Sequence, residues 1–150
     1  MGITTKLYTE VSKDLQIHIA VLIYKQWPDL YANKDIGEIV ESLKNIHKCW
    51  VFYNNQEIVG TAGINIDTPV PTFNTTYWIC NLYVIESFRG KHVGEKILKY
   101  VEKNMQASGI NILNLWCEQN LIEFYKKYNW NLTPDSVPNR PESKIMIKML

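Results

Sequence analysis

The chain has little of what marks several function classes. No uncharged apolar run approaches the roughly 18 residues that cross a bilayer, and the opening MGITTKLYTE carries no apolar signal core, so no membrane segment or cleaved leader is expected. Met-Gly at the start is followed by Lys6 where a myristoylation signal needs Ser or Thr. Lys+Arg and Asp+Glu number 16 and 15, a formal net charge of +1. That balance leaves no basic excess for a nucleic-acid partner or a membrane surface. The three cysteines, Cys49, Cys80 and Cys117, fall far apart inside apolar runs. They lack the paired spacing of a zinc or redox centre, so no metal is expected, and the odd count fits reduced thiols in cytoplasm. There is no internal repeat and no low-complexity segment.

What is present is ordinary globular material. The composition is 46% hydrophobic and 21% charged over 150 residues, enough chain to bury about 68 to 70% of its extended surface around one core. A single domain over residues 1–150 is expected.

Periodicity then orders the elements. Lys6 to Thr9 reads as a short strand, and Ser12 as the N-cap of a helix carrying Leu15, Ile19, Leu22 and Ile23 that ends before Pro28. A second helix follows Asn33 or Asp35, with Ile36, Ile39, Val40, Leu43 and Ile46 on one face. Strands Cys49 to Tyr53 and Glu57 to Ile66 are joined by a hairpin at Asn54-Asn55-Gln56. Gly60 and Gly63 in the second strand point to close backbone packing. Asp67 to Thr76 is a surface loop leading to the strand Tyr77 to Val84. The next helix places Val93, Ile97, Val101 and Met105 on one stripe and stops at Ser108-Gly109. A strand Ile110 to Cys117 follows, then a helical face of Leu121, Phe124, Tyr125 and Tyr128 capped by Asn129. Asp135 to Glu142 reads as a proline-rich loop before a last strand, Ser143 to Leu150. The order is β-α-α-β-β-β-α-β-α-β-β, an α/β (α+β) fold with a mixed, mostly antiparallel twisted sheet of about six to seven strands and four helices.

One junction looks chemical. In LYVIESFRGKHVGEKILKYVEK, from Leu82 to Lys103, a strand gives way to a basic turn, Arg89-Gly90-Lys91-His92-Val93-Gly94, that opens straight into an amphipathic helix. The first turn of a helix leaves N–H groups without intrahelical partners at the positive end of the dipole, which makes it an anion site. Gly90 and Gly94 remove Cβ atoms where phosphates come close, and Arg89 and Lys91 add positive charge. The predicted ligand carries a pyrophosphate. It is not held by a Walker A loop, because Lys91 precedes His92 rather than Ser or Thr. A Rossmann turn needs three glycines within six residues, a spacing also absent.

These residues resemble the GNAT superfamily of acyl-CoA-dependent N-acyltransferases, whose signature Arg/Gln-x-x-Gly-x-Gly/Ala follows a strand of pattern Leu-x-Val. Leu82-Tyr83-Val84 stands at the family's usual distance before Arg89, Gly94 fills the last signature position, and His92 occupies the place of the middle glycine. A left-handed backbone at position 92 would cost a non-glycine residue roughly 1 to 2 kcal/mol, although His is among the types enriched there; its place in the first turn suggests a helical backbone instead, where the cost nearly vanishes. Further on, FYKKYNW resembles the family's Phe/Leu-Tyr-x-x-x-Gly-Phe helix end, with Asn129 for Gly and Trp130 for Phe. The element order matches as well.

The resemblance implies acetyl-CoA as co-substrate and a neutral amine, on a small molecule or peptide, attacking the acyl thioester directly. Its pyrophosphate would rest on Arg89, Gly90, Lys91, His92, Val93 and Gly94. Leu82, Tyr83 and Val84 would receive the pantetheine arm and supply a backbone N–H to the acyl oxygen. Tyr125 takes the position of the general acid that protonates the departing thiolate. Without the motif, Tyr125 reads as a core aromatic on the stripe of Leu121 and Tyr128. Glu118 and Leu121 stand where the family often has Asn and Ala. Glu118, at a strand end, is a candidate base acting through water, or else a solvated carboxylate at a helix start. Cys117 offers a rival covalent route through an acyl-enzyme, although no His neighbours it in sequence. A catalytically silent acyl-CoA sensor is the alternative function. The segment Trp27 to Tyr31 and the loops Asp67 to Thr76 and Asp135 to Glu142 are expected to line the acceptor pocket, and both monomer and homodimer fit the sequence.

Overall fold

The computed structural model describes residues 2–66 and 76–150. The chain folds as β1 (Ile3–Leu7), α1 (Lys13–Gln26), α2 (Ile36–Asn45), β2 (Lys48–Asn54), β3 (Glu57–Ile66), β4 (Tyr77–Val84), α3 (Val93–Ala107), β5 (Ile112–Glu118), α4 (Ile122–Lys127), β6 (Asn131–Val137) and β7 (Arg140–Met149). Short 3-10 turns precede α1, α3 and α4. Among the described residues these seven strands form one sheet in the order β1-β2-β3-β4-β5-β7-β6. The pairs β1/β2, β2/β3, β5/β7 and β6/β7 are antiparallel, whereas β4/β5, joined through α3, is parallel. This is the expected mixed α/β architecture, in the expected order.

Local chemistry explains most of the boundaries. Ser12 caps α1, its Oγ accepting from Leu15 N–H at 3.2 Å. Asp35 and Glu38 form a reciprocal capping box at α2, with Glu38 N–H donating to Asp35 Oδ1 at 2.8 Å. The β2–β3 hairpin turns at Asn55, whose φ of 57° is one that asparagine tolerates. Gly109, at φ 83°, closes α3. Asn129, at φ 69°, closes α4, where Trp130 N–H donates to Tyr125 O and Asn129 N–H to Lys126 O.

The chain divides into two compact units, Met1–Ile64 with Asn81–Ile97, and Asn65–Cys80 with Leu98–Leu150. In the first, Tyr8, Ile19, Ala20, Ile23, Ile39, Leu43, Val51 and Tyr83 form a buried cluster under α1 and α2. Gly60 marks a close approach there, because a Cβ added to it would lie 2.4 Å from Tyr83 O and 2.7 Å from Ile97 Cδ1. The second unit buries Leu98, Val101, Met105, Leu113, Leu115, Trp130 and Met146. Its Glu102 pairs with Lys148, which also donates to Tyr128 O at 2.8 Å, while Trp130 Nε1 donates to Glu102 Oε2 at 3.3 Å.

Four expectations are corrected. The N-terminal strand ends at Leu7, and Tyr8 to Glu10 turn so that the Tyr8 hydroxyl donates to Gln16 O at 2.7 Å. Residues 135–142 are not a loop but the inner ends of the β6–β7 hairpin, which turns at Pro138 and Asn139. Pro134 is tolerated because β6 is an edge strand, with a register irregularity between Leu132 and Ser136. On α4, Ile122 and Tyr125 are the buried residues, and Leu121 is 42% exposed. Position 92 is the fourth and belongs to the site below. The expected loop Asp67 to Thr76 lies outside the described residues except for Thr76.

Candidate functional site

In the first unit β4 runs into a 3-10 turn, Glu86–Phe88, and then into the signature. Ile85 N–H donates to Val59 O at 2.8 Å, and Arg89 N–H to Glu86 O at 3.2 Å, which pins the turn to the end of β4. From there the backbone changes hand twice, at Gly90 (φ 77°) and at His92 (φ 62°), before α3 starts at Val93. His92 is therefore left-handed rather than helical. Its carbonyl already accepts the first helical bond, from Lys96 N–H at 3.2 Å, so the residue caps the helix from outside its first turn. The consequence is a row of donors. Among the described residues, none of the N–H groups of Gly90, Lys91, His92, Val93 and Gly94 donates to a protein acceptor. Consecutive N–H groups along a backbone that alternates hand in this way, at the positive end of a 15-residue helix, make an anion cradle. Gly90 is exposed, with no atom within 4 Å of an added Cβ, so the rim is open.

The side chains around the cradle divide its labour. Arg89 folds back onto the protein: its Nε donates to Val84 O at 3.0 Å, its terminal nitrogen to Gln26 Oε1 at 3.4 Å, and its guanidinium lies 5.4 Å from the Tyr83 ring centroid. It braces the strand end against the C-terminus of α1. Lys91 Nζ lies 5.5 Å from the Phe88 ring centroid, and His92 Nδ1 stands 3.5 Å from Glu95 Oε2, with the imidazole largely in solvent. Val93 is buried and anchors the helix start.

Upstream, β4 contains a feature that the sequence did not reveal. Asn81, in the middle of the apolar run YWICNLYV, has φ 52° and so kinks the strand just before Leu82, Tyr83 and Val84. Tyr31, from the segment between α1 and α2, donates its hydroxyl to Asn81 Oδ1 at 2.9 Å, and Thr61 Oγ1 on β3 donates to Asn81 O at 2.9 Å. The only signal was a polar residue of left-hand-tolerant type inside a strand.

In the second unit Tyr125 is buried on α4, packed edge-on against Phe124 (5.1 Å) and Trp130 (6.1 Å). Burial, with the neighbouring Cys117 adding to it, pushes its phenol well above the usual range, so the group stays protonated at neutral pH. Its hydroxyl makes no hydrogen bond to a described residue. Glu118 ends β5, exposed, with no ion pair to a described residue. Burial, with the Glu118 charge beside it, pushes the Cys117 thiol up to about 11, and its Sγ lies 3.8 Å from Met146 Sδ. That thiol is packed and protonated, the opposite of an activated nucleophile. Both His18 and His47 are exposed. Among the described residues no cluster of three or more His, Cys, Asp or Glu is placed to hold a metal, and no helix is long and apolar enough to cross a membrane.

Comparison with known proteins bears on the family and the fold. The profile of the Acetyltransferase (GNAT) family matches residues 2–130. The uncharacterized N-acetyltransferase ycf52 of Gracilaria tenuistipitata var. liui is 26% identical over 90 residues, 58% of this chain and 47% of that protein. The chain thus spans about half the length of the curated relatives it matches. Among solved structures, an aminoglycoside 6'-N-acetyltransferase complexed with coenzyme A superposes with a TM-score of 0.77 at 18% identity, covering 99% of this chain and 97% of that one. A ribosomal-protein-alanine N-acetyltransferase from Brucella melitensis gives a TM-score of 0.71 at 15% identity over 100% of both chains. Signature, fold and profile agree: the chain belongs to the GNAT acetyltransferase family.

Proposed function

We propose that this protein is an N-acetyltransferase that moves the acetyl group of acetyl-CoA to a primary amine of a small molecule or peptide, by direct attack while both are bound. The observation that carries the reading is the row of N–H groups from Gly90 to Gly94, none with a protein acceptor among the described residues. Donors without a protein acceptor add no hydrogen bond to the fold, and such a row matches the oxygens of a pyrophosphate. Bound acetyl-CoA supplies an activated acyl thioester. Everything else is work for this chain.

The cradle holds the diphosphate, with Lys91 adding charge at the rim and Arg89 keeping the turn braced against Val84 and Gln26. A backbone N–H of Leu82 to Val84 is the donor for the acyl oxygen, rigid because its strand is braced at both ends. Tyr125 is the general acid: burial keeps its proton on, and its hydroxyl is not spent on another described residue. Glu118 accepts the amine's proton through water. The aminoglycoside and ribosomal-protein-alanine enzymes with this fold act, by their names, on small-molecule and protein amines, which supports an amine acceptor and leaves its class open. The family match crosses both compact units, which supports reading residues 1–150 as one acetyltransferase domain. We place it in the cytoplasm as a monomer or homodimer, acting without metal, nucleic acid or membrane.

The test is a thermal-shift screen with acetyl-CoA, longer acyl-CoAs, ATP and NAD. Acetyl-CoA at 100 times its Kd should add about 2.7 kcal/mol of stability. A shift with ATP or NAD and none with any CoA overturns the proposal.

A further inference from the structure

The kink at Asn81 is held by two segments that the signature does not include. Its side chain receives the Tyr31 hydroxyl and its carbonyl receives the Thr61 hydroxyl, each at 2.9 Å. The peptide group is planar and trans, so the Asn81 C=O and the Leu82 N–H lie in one plane and point in opposite directions. Fixing the carbonyl toward Thr61 therefore fixes the Leu82 N–H away from it. Thr61 is 3% exposed on β3 and has little freedom to move.

Tyr31 does the same for the side chain, and it belongs to a segment with its own constraints. Leu30 N–H donates to Trp27 O at 3.1 Å and Lys34 N–H to Tyr31 O at 3.0 Å, while Trp27 packs edge-on against Tyr83 at 6.3 Å. The segment thus grips β4 at two side chains, Asn81 and Tyr83. An asparagine tolerates the left-handed conformation but does not require it. The two hydroxyls supply contacts that the local sequence does not.

We infer that Tyr31 and Thr61 are positioning residues for acyl transfer: together they lock Asn81 in its kink and so aim the Leu82 N–H as the donor for the acyl oxygen. The inference rests on the acetyltransferase reading and adds to it a second purpose for the segment Trp27 to Tyr31. That segment sets the geometry of the donor.

The experiment measures thiol release from acetyl-CoA, offering water, an aminoglycoside and a peptide beginning with alanine as acceptors, in wild type, Tyr31→Phe, Thr61→Val and Thr61→Ser. Tyr31→Phe and Thr61→Val should each lower kcat about tenfold, a fraction of the loss from deleting a donor outright, with acetyl-CoA affinity within about twofold of wild type. Thr61→Ser, which keeps the hydroxyl, should restore most of the rate. In an Asn81→Gly background, where glycine adopts the kink without a side chain, Tyr31→Phe should have a smaller effect than in wild type. A second readout needs no turnover and no tolerant variant beyond Tyr31→Phe. The carbonyl stretch of bound carbon-13-labelled acetyl-CoA should be lowered in wild type and return toward the free value in Tyr31→Phe.

Wild-type rates and an unchanged carbonyl stretch in Tyr31→Phe overturn the inference while leaving the acetyltransferase reading intact. A loss of kcat matched by an equal loss of acetyl-CoA affinity overturns it too, since that is a general structural role. Wild-type protein that neither binds acetyl-CoA nor releases thiol overturns both.

Discussion

Replacing His92 by glycine should stabilise the protein, although it removes a side chain and an ionic contact. His92 sits at φ 62°, where an L-residue with a Cβ carries a cost of roughly 1 to 2 kcal/mol that glycine does not. Against this, glycine loses more freedom on folding, a penalty of about 0.4 to 1 kcal/mol acting through the unfolded chain. The contact from Nδ1 to Glu95 is 3.5 Å long and its imidazole is 72% exposed, so its loss counts for close to nothing. The balance is a gain of about 0.5 to 1 kcal/mol, or roughly 1 to 4 °C in Tm for a chain of this size. His92→Ala is the control. It loses the same contact but keeps the Cβ, so the strain stays and stability should be unchanged or slightly lower.

The assay is urea and thermal unfolding of the three proteins at pH 7, with and without acetyl-CoA. The donors of the cradle are backbone groups, so the stabilisation by coenzyme should survive in His92→Gly. A glycine variant no more stable than the alanine variant would refute the argument from left-handed strain, and with it the view that position 92 departs from the family's glycine at a conformational cost.

Gly60→Ala should cost about 1 to 3 kcal/mol in urea unfolding, because the new methyl meets the Tyr83 carbonyl at 2.4 Å and a backbone atom there cannot step aside; unchanged stability would mean that β3 and β4 approach less closely than described. Tyr125→Phe should lower kcat by about 100-fold or more with acetyl-CoA affinity retained. The same substitution should flatten the alkaline loss of stability: burial holds the folded phenol above its unfolded value of about 10, so its contribution is complete below that pH and falls by about 1.4 kcal/mol per unit above it. Wild type and Tyr125→Phe with parallel stability curves from pH 9 to 11.5 would contradict that shift.

What could be read from the sequence was whatever is decided over a few neighbouring residues. The stripe Val93, Ile97, Val101 and Met105 is buried to 1% or less because a 3.6-residue repeat specifies one face regardless of what packs on it. Strands Glu57–Ile66 and Tyr77–Val84 have the bounds that their apolar runs and flanking turns predict. The caps at Ser12, Asp35 and Asn129 each close within a few residues. The prolines near residue 138 misled for a related reason: local chemistry says that proline breaks a strand, while Pro138 falls in the hairpin turn and Pro141 precedes Ser143, where the pairing of β7 with β5 begins.

The site divides along the same line. The cradle was legible because its donors follow from consecutive residues, a helix start and a glycine at position 90. Even there, the spacing suggests a place for His92 inside the first turn, whereas the residue stands one position before α3 begins and is left-handed. The kink at Asn81 was not legible at all. Two of its contacts are hydroxyls 50 and 20 residues away in sequence, and no short window along the chain contains them. A left-handed residue in the middle of a strand persists only where the surroundings over-determine it. If the Leu82 N–H is the acyl-oxygen donor, a kink held by distant partners keeps it preorganised and out of the ladder geometry of an ordinary strand. On the acetyltransferase reading proposed above, the sequence marks the turn that would take the coenzyme's phosphates, and the fold supplies the angle at which Leu82 would meet the acyl group.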